Sequence, residues 1–183
     1  MKIRKIYIVL LIIVFIVTGY KLIYIKMSND YKIRMNIPST YSDRIGISIP
    51  KDSTVLDYGN DHGGFLGDGE SYVIIKLNEK GKKEFLKEAK KNNKWSNMPL
   101  PEKYQKIVFG GEFDNVDYGD GYFEDGGHIP RDIKNGIYYF RDRYAEKYPK
   151  EADVDINERY SYNFTISILD LDRNKLYIYD LDT

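Results

Sequence analysis

The chain has 183 residues, 28 basic and 28 acidic, and no cysteine, which excludes disulfides, a thiol nucleophile and lipid attachment at a cysteine. Its formal neutrality hides an asymmetry: Lys2, Arg4, Lys5, Lys21 and Lys26 have no acidic company in the first 26 positions, so from Met27 onward 23 basic residues face 28 acidic ones. Such a net acidic domain excludes nucleic acid as a partner, because phosphate binding needs a basic footprint.

Residues 1–5 form a basic tail, and residues 6–25 form an apolar run interrupted only by Thr18, Gly19 and Lys21. At about 1.5 Å per helical residue this run spans roughly 30 Å, the thickness of a bilayer's hydrocarbon core. Lys21 lies near the outer end, where its ammonium can snorkel to the headgroups. A secretory signal needs small residues of the A-x-A kind at its cleavage site, whereas here Thr18-Gly19-Tyr20-Lys21 leads back into Leu22-Ile23-Tyr24-Ile25. The run therefore predicts an uncleaved transmembrane signal anchor. The positive start keeps the N-terminus in the cytoplasm and exports the remainder, making a single-pass protein of the cell membrane. Scarce alanine with abundant Lys, Ile, Asn and Tyr points to an AT-rich bacterial genome.

Residues 26–43 have mixed polarity and read as a stalk, leaving 44–183 as one exported domain of ordinary size. Residues 44–49 alternate like an edge strand. Residues 54–58 predict a second strand, and 71–77, apolar on both faces, a central one. Asn78 suits the N-cap of a helix over 79–92, with an acid in its first turn and lysines in its last. Its apolar face is thin (Phe85, Leu86 and Ala89), so the lysines at 80, 82, 83, 87, 90, 91 and 94 read as a solvated surface rather than as a contact for anionic lipid or wall polymer.

Trp95 plugs the edge of the core ahead of the rigid segment 98–101. A helical turn over 102–106, strands over 107–109 and 137–141, and a loop or broken helix over 142–156 follow. In the terminal hairpin Tyr162, Phe164, Ile166 and Ile168 point one way and Asn163, Thr165 and Ser167 the other, the pattern of a sheet with one buried face. A turn at 172–174 returns the chain through 175–179. The sum is an α+β fold: a mostly antiparallel sheet with one principal helix packed on a face, preceded by the N-terminal transmembrane helix.

The two histidines of the chain each stand beside a glycine pair and a carboxylate, in Asp61-His62-Gly63-Gly64 and Asp125-Gly126-Gly127-His128. Glycine lets backbone approach a ligand, so His62, Gly63, Gly64, Asp68, Glu70 and His128 are candidate ligand-binding residues. If the two loops meet, Asp61, His62, Asp125 and His128, with Asp68 and Asp120 nearby, supply donors suited to zinc or manganese. The same residues also make ordinary turns. Residues 114–121 are rich in carboxylate oxygens suited to calcium but lack the spacing of an EF-hand. Signatures of serine hydrolases, zinc peptidases and nucleotide-binding loops are missing, and a pair such as Asp68 and Glu70 arises by chance among 28 acids. No cofactor is therefore required.

Residues 61–70 (Asp-His-Gly-Gly-Phe-Leu-Gly-Asp-Gly-Glu), 95–101 (Trp-Ser-Asn-Met-Pro-Leu-Pro), 161–165 and 176–179 together resemble a group of small uncharacterised membrane-anchored proteins of Gram-positive bacteria, over most of the exported domain. The resemblance implies a bacterial surface setting and no particular activity. The expectation is an extracytoplasmic, non-catalytic binding module that takes a surface protein or wall polymer through its two Gly/Asp/His loops. The alternatives are a metal-dependent surface hydrolase built on those loops and an assembly protein of a larger membrane complex.

Overall fold

The computed structural model describes residues 2–63, 67–113, 115–117, 119 and 129–183. They fall into two compact units, 1–37 and 38–183. One long helix, α1 (Lys2–Ile45), opens the chain. From Leu11 onward it is long and apolar enough to cross a membrane, and its apolar side chains are exposed, Leu11 to 70% and Phe15 to 82%.

The last turns of α1, from Pro38, belong to the folded unit. The helix ends because Gly46 takes a positive φ of 66° and donates its N–H to the Ser42 carbonyl at 2.9 Å, a conformation that closes helices and suits glycine. This corrects the expected strand over 44–49. Ile45, Ile47 and Ile49 are indeed buried at alternate positions. The backbone amides between them, however, go to side chains and not to a ladder: Ser48 N–H donates to Glu88 Oε2 at 3.1 Å and Ile49 N–H to Ser42 Oγ at 2.8 Å.

The folded unit is built on β1 (Thr54–Asn60), β2 (Gly69–Lys76), β3 (Trp95–Asn97), β6 (Gly136–Asp142), β7 (Asn163–Asp170) and β8 (Lys175–Asp182), numbered to leave β4 (Glu112–Phe113) and β5 (Val116–Asp117) for a separate two-stranded ribbon. The six strands are antiparallel throughout, in the order β1-β2-β8-β7-β6-β3. Cross-strand partners share a face, so the register sorts the side chains. Ser71, Val73 and Ile75 lie in rows with Asp180, Ile178 and Leu176, and then with Thr165, Ser167 and Leu169. Tyr72 and Ile74 share the opposite face with Tyr179, Tyr177, Ile166 and Ile168.

The first face is covered by the end of α1 and by α2 (Glu79–Ala89). Asn78 caps α2 as expected, its side chain accepting the Gly81 N–H at 2.7 Å. Phe85 meets Trp95 edge-on at 5.2 Å, and Trp95 stacks on Tyr139 of β6 at 5.5 Å. The single tryptophan therefore sits at the edge of the core.

The second face is covered by α3 (Glu102–Phe109), whose Ile107 and Val108 join Ile129, Ile133, Ile156, Phe164, Ile166 and Ile168 in one apolar cluster. Residues 107–109 are thus helical, not a strand. Tyr104, Ile107 and Val108 recur at helical spacing, Tyr104 stacks on Phe140 at 3.9 Å, and Lys106 pairs with Glu102 one turn back at 2.8 Å. With helices on both faces, the terminal hairpin lies in the middle of the sheet and buries both sides, including Thr165 and Ser167. The expectation of one wet face fails because these hydroxyl side chains are small enough to lie beneath a helix. Residues 142–156 form a short helix α4 (Arg143–Lys147) followed by 3₁₀ turns, the broken helix the sequence suggests.

Candidate functional site

The loop between β1 and β2 is closed by a reciprocal pair of bonds. The Asp61 N–H donates to the Glu70 carbonyl at 3.0 Å, and the Glu70 N–H to Asp61 Oδ1 at 2.6 Å. Asn60 Oδ1 accepts the His62 N–H at 2.9 Å and also faces His62 Nδ1 at 3.0 Å, while Nε2 faces Asp182 Oδ2 at 3.0 Å. Gly69 makes this closure possible: its φ is 151°, and a Cβ there would lie 2.6 Å from His62 Cα and 2.9 Å from Asp61 Oδ1. Asp61, Gly63 and Asp68 are exposed on the rim. Gly64, Asp120, Asp125 and His128 lie outside the described residues. Of the calcium candidates, Asp117 accepts the Gly119 N–H at 2.8 Å and Asp114 lies outside the described residues.

His62 leads into a polar network that the sequence reading missed. Asp182 also accepts from Arg143 Nη2 at 2.7 Å, and Arg143 Nη1 reaches Asp180 Oδ1 at 2.9 Å and Thr165 Oγ1 at 2.7 Å. Arg44, in the last turn of α1, ion-pairs with the other oxygen of Asp180. Thr165 donates to Asp180 at 2.5 Å and Ser71 donates to it at 3.3 Å, with the Tyr41 hydroxyl on Ser71 at 3.2 Å. Burial pushes the Tyr41 phenol above its ordinary value.

Asp180 is 0% exposed, yet its charge is met by two guanidinium groups and two hydroxyls. A buried carboxylate persists only with such compensation. The network runs from α1 through the middle of the sheet to the 61–70 loop, and its carboxylates are engaged within the protein. One signal in the sequence pointed to it: Asp180 continues the row of Leu176 and Ile178, so an acid stands where the strand's period calls for an apolar residue.

Two recesses lie on the second face. A cleft of about 440 Å³ is lined by Met98, Pro99, Phe109, Phe113 and Ile133, with Arg131 donating to the Phe109 carbonyl and lying over its ring at 5.5 Å. A smaller recess of about 230 Å³ surrounds Arg159, which pairs with Asp142 at 2.6 Å and donates to the carbonyls of Val154 and Ala152. Arg159 thereby holds the 152–159 turn against β6. Among the described residues, no group of three or more His, Asp or Glu side chains is placed to hold a metal ion. No protein-family model matches the chain, nor does any curated protein or solved structure.

Proposed function

We propose that the chain is a single-pass membrane protein with a cytoplasmic N-terminus, whose folded unit serves as an extracytoplasmic, non-catalytic binding module at a bacterial cell surface. One observation carries the reading: the seven consecutive apolar side chains from Leu11 to Val17 are each at least half exposed, all round the helix. Water penalises such a surface at about 25 cal/mol per Å², whereas hydrocarbon does not. A helix is also the form in which one chain segment satisfies its own backbone within lipid. Lys2, Arg4 and Lys5 precede the run and favour the N-in orientation.

The non-catalytic part is supported by the engagement of His62, Asp61, Asp180 and Asp182 in internal hydrogen bonds and ion pairs. The exposed rim at Asp61, Gly63 and Asp68 is left to contact a surface protein or wall polymer. A metal-dependent hydrolase, by contrast, needs His62 to give up Asn60 or Asp182 and to act together with His128.

Alkaline carbonate extraction of membranes carrying the full chain tests the anchor. The parent chain is expected to stay in the pellet, and Ile13→Asp/Phe15→Asp to move to the supernatant, because each central aspartate costs about 2.5–3.5 kcal/mol. A parent chain released by carbonate contradicts the proposal. Melting with EDTA and then with zinc, manganese or calcium separates the binder from the hydrolase, since a metal that binds only the folded state raises the melting temperature. An unchanged temperature is expected. A rise abolished by both His62→Ala and His128→Ala favours the hydrolase.

A further inference from the structure

We propose that the lysine stripe of α2, which the sequence alone reads as a solvated surface, is a docking surface for an anionic phospholipid bilayer. Helix α2 turns Gly81, Phe85 and Ala89 inward and presents Lys83, Lys87 and Lys90 outward, each about one turn from the next. Leu86 lies half-buried among them and, with them, lines a shallow depression of about 400 Å³. An apolar floor ringed by ammonium groups fits the glycerol and phosphodiester of a lipid head.

The acids of the helix bond to other partners. Lys80 pairs with Glu84 at 3.9 Å, Lys82 is held by Glu79 at 3.1 Å and by Asn174 at 2.5 Å, and Glu88 accepts the Ser48 N–H. Among the described residues, Lys83, Lys87, Lys90 and Lys91 have no carboxylate within ion-pair distance. Like charges three and four positions apart on a helix repel, so the arrangement works against the helix unless something outside neutralises it.

General solubility does not explain the stripe either. Residues 79–94 contain seven lysines and three glutamates, whereas the folded unit, residues 38–183, contains 21 basic and 27 acidic residues. The basic charge is thus concentrated on one surface of an acidic domain.

The chemistry of the stripe selects a diffuse anionic surface over a single fixed ligand. All seven cations are lysine and none is arginine. An ammonium on a flexible stem is a point charge suited to mobile phosphates, whereas a fixed carboxylate or phosphate ligand is better met by the guanidinium fork. A bilayer is preferred to a soluble polymer because α1 tethers the domain beside it. The tether supplies a high effective concentration, so that a weak contact is enough. The inference therefore rests on the membrane-anchored reading above.

The test places the full chain in nanodiscs of phosphatidylcholine alone or of phosphatidylcholine mixed with phosphatidylglycerol, and measures acylation of each lysine by mass spectrometry. On the mixed discs Lys83, Lys87 and Lys90 are expected to react about fivefold more slowly, the factor corresponding to roughly 1 kcal/mol per lysine at an anionic surface. The exposed Lys51, Lys134 and Lys150 serve as controls that keep their reactivity. Protection is expected to vanish in 1 M salt, where the Debye length falls to about 3 Å.

Lys91 and Lys94, next along the chain, are expected to be protected with them in the parent and to lose that protection in the triple variant Lys83→Glu/Lys87→Glu/Lys90→Glu, which changes only exposed positions. Equal reactivity on both kinds of disc overturns the proposal. So does protection by soluble poly(glycerol phosphate) without protection on mixed discs, which assigns the stripe to a polymer. Failure of the chain to stay in phosphatidylcholine discs refutes the anchor itself, and the lipid contact with it.

Discussion

Asp180 is the point at which the network beneath α1 is most exposed to perturbation, and Asp180→Ala removes its acceptors without enlarging the side chain. Truncating one member of a fully buried ion pair costs about 3–5 kcal/mol, because the partner charge is left uncompensated. Here the partners have other recourse. Arg44 is 39% exposed and can turn to water, and Arg143, 22% exposed, keeps Asp182 and the Leu181 carbonyl. The penalty is therefore reduced to about 2–3 kcal/mol, to which the lost bonds from Thr165 and Ser71 belong.

For a folded unit of roughly 150 residues this lowers the melting temperature by about 4–12 °C. Asp180→Asn, which keeps the shape and the oxygen facing Thr165, is expected to lose less. Trp95 gives a reporter confined to this unit, since it packs between Phe85 and Tyr139. Its fluorescence is followed during heating of the full chain in mild detergent. A double-mutant cycle with Arg143→Met then isolates the pair. A drop under about 2 °C for Asp180→Ala, or no coupling in the cycle, refutes the idea that the network holds the fold together.

Gly69→Ala forces a Cβ against the His62 backbone and disfavours the left-handed conformation, so it is expected to cost about 1–3 kcal/mol and to speed hydrogen exchange at the amides of Asp61 and Glu70; unchanged exchange argues against the closed loop. Alkaline pH gives a second handle. Burial raises the phenols of Tyr41, Tyr139, Tyr177 and Tyr179 above the ordinary 10.0. The unfolded chain ionises them from that pH while the folded one keeps them neutral, so stability is full below it and declines as pH rises through the folded values. The last part of the phenolate absorbance is expected to rise together with the change in Trp95 fluorescence, above pH 10.0, and ionisation of all 18 tyrosines while Trp95 stays folded contradicts the burial.

Where a residue pattern is dictated by its own chain neighbours, the sequence was sufficient. The apolar run of α1, the Asn78 cap and the alternation of β7 and β8 are local, and each is found where the sequence placed it. What depends on the opposite layer was hidden. Thr165 and Ser167 look like solvent-facing residues and become buried because helices cover that face of the hairpin. The alternation of Ile45, Ile47 and Ile49 reported burial correctly but not a strand, since its amides bond to Glu88 and Ser42. The site followed the same division. The 61–70 loop is a local pattern, whereas Asp182, the carboxylate on His62, and Arg44, Arg143 and Asp180 come from distant segments that only the fold unites.

The central claim is a membrane-held domain displayed outside the cell, and its most direct test exploits the absence of cysteine. A single cysteine is introduced at exposed Ser96 in one variant and at Lys2 in another, and intact bacterial cells are treated with a membrane-impermeant maleimide. Labelling of Ser96→Cys in intact cells, with Lys2→Cys labelled only after permeabilisation, is the predicted result. The reverse pattern, or labelling of both only after lysis, contradicts it.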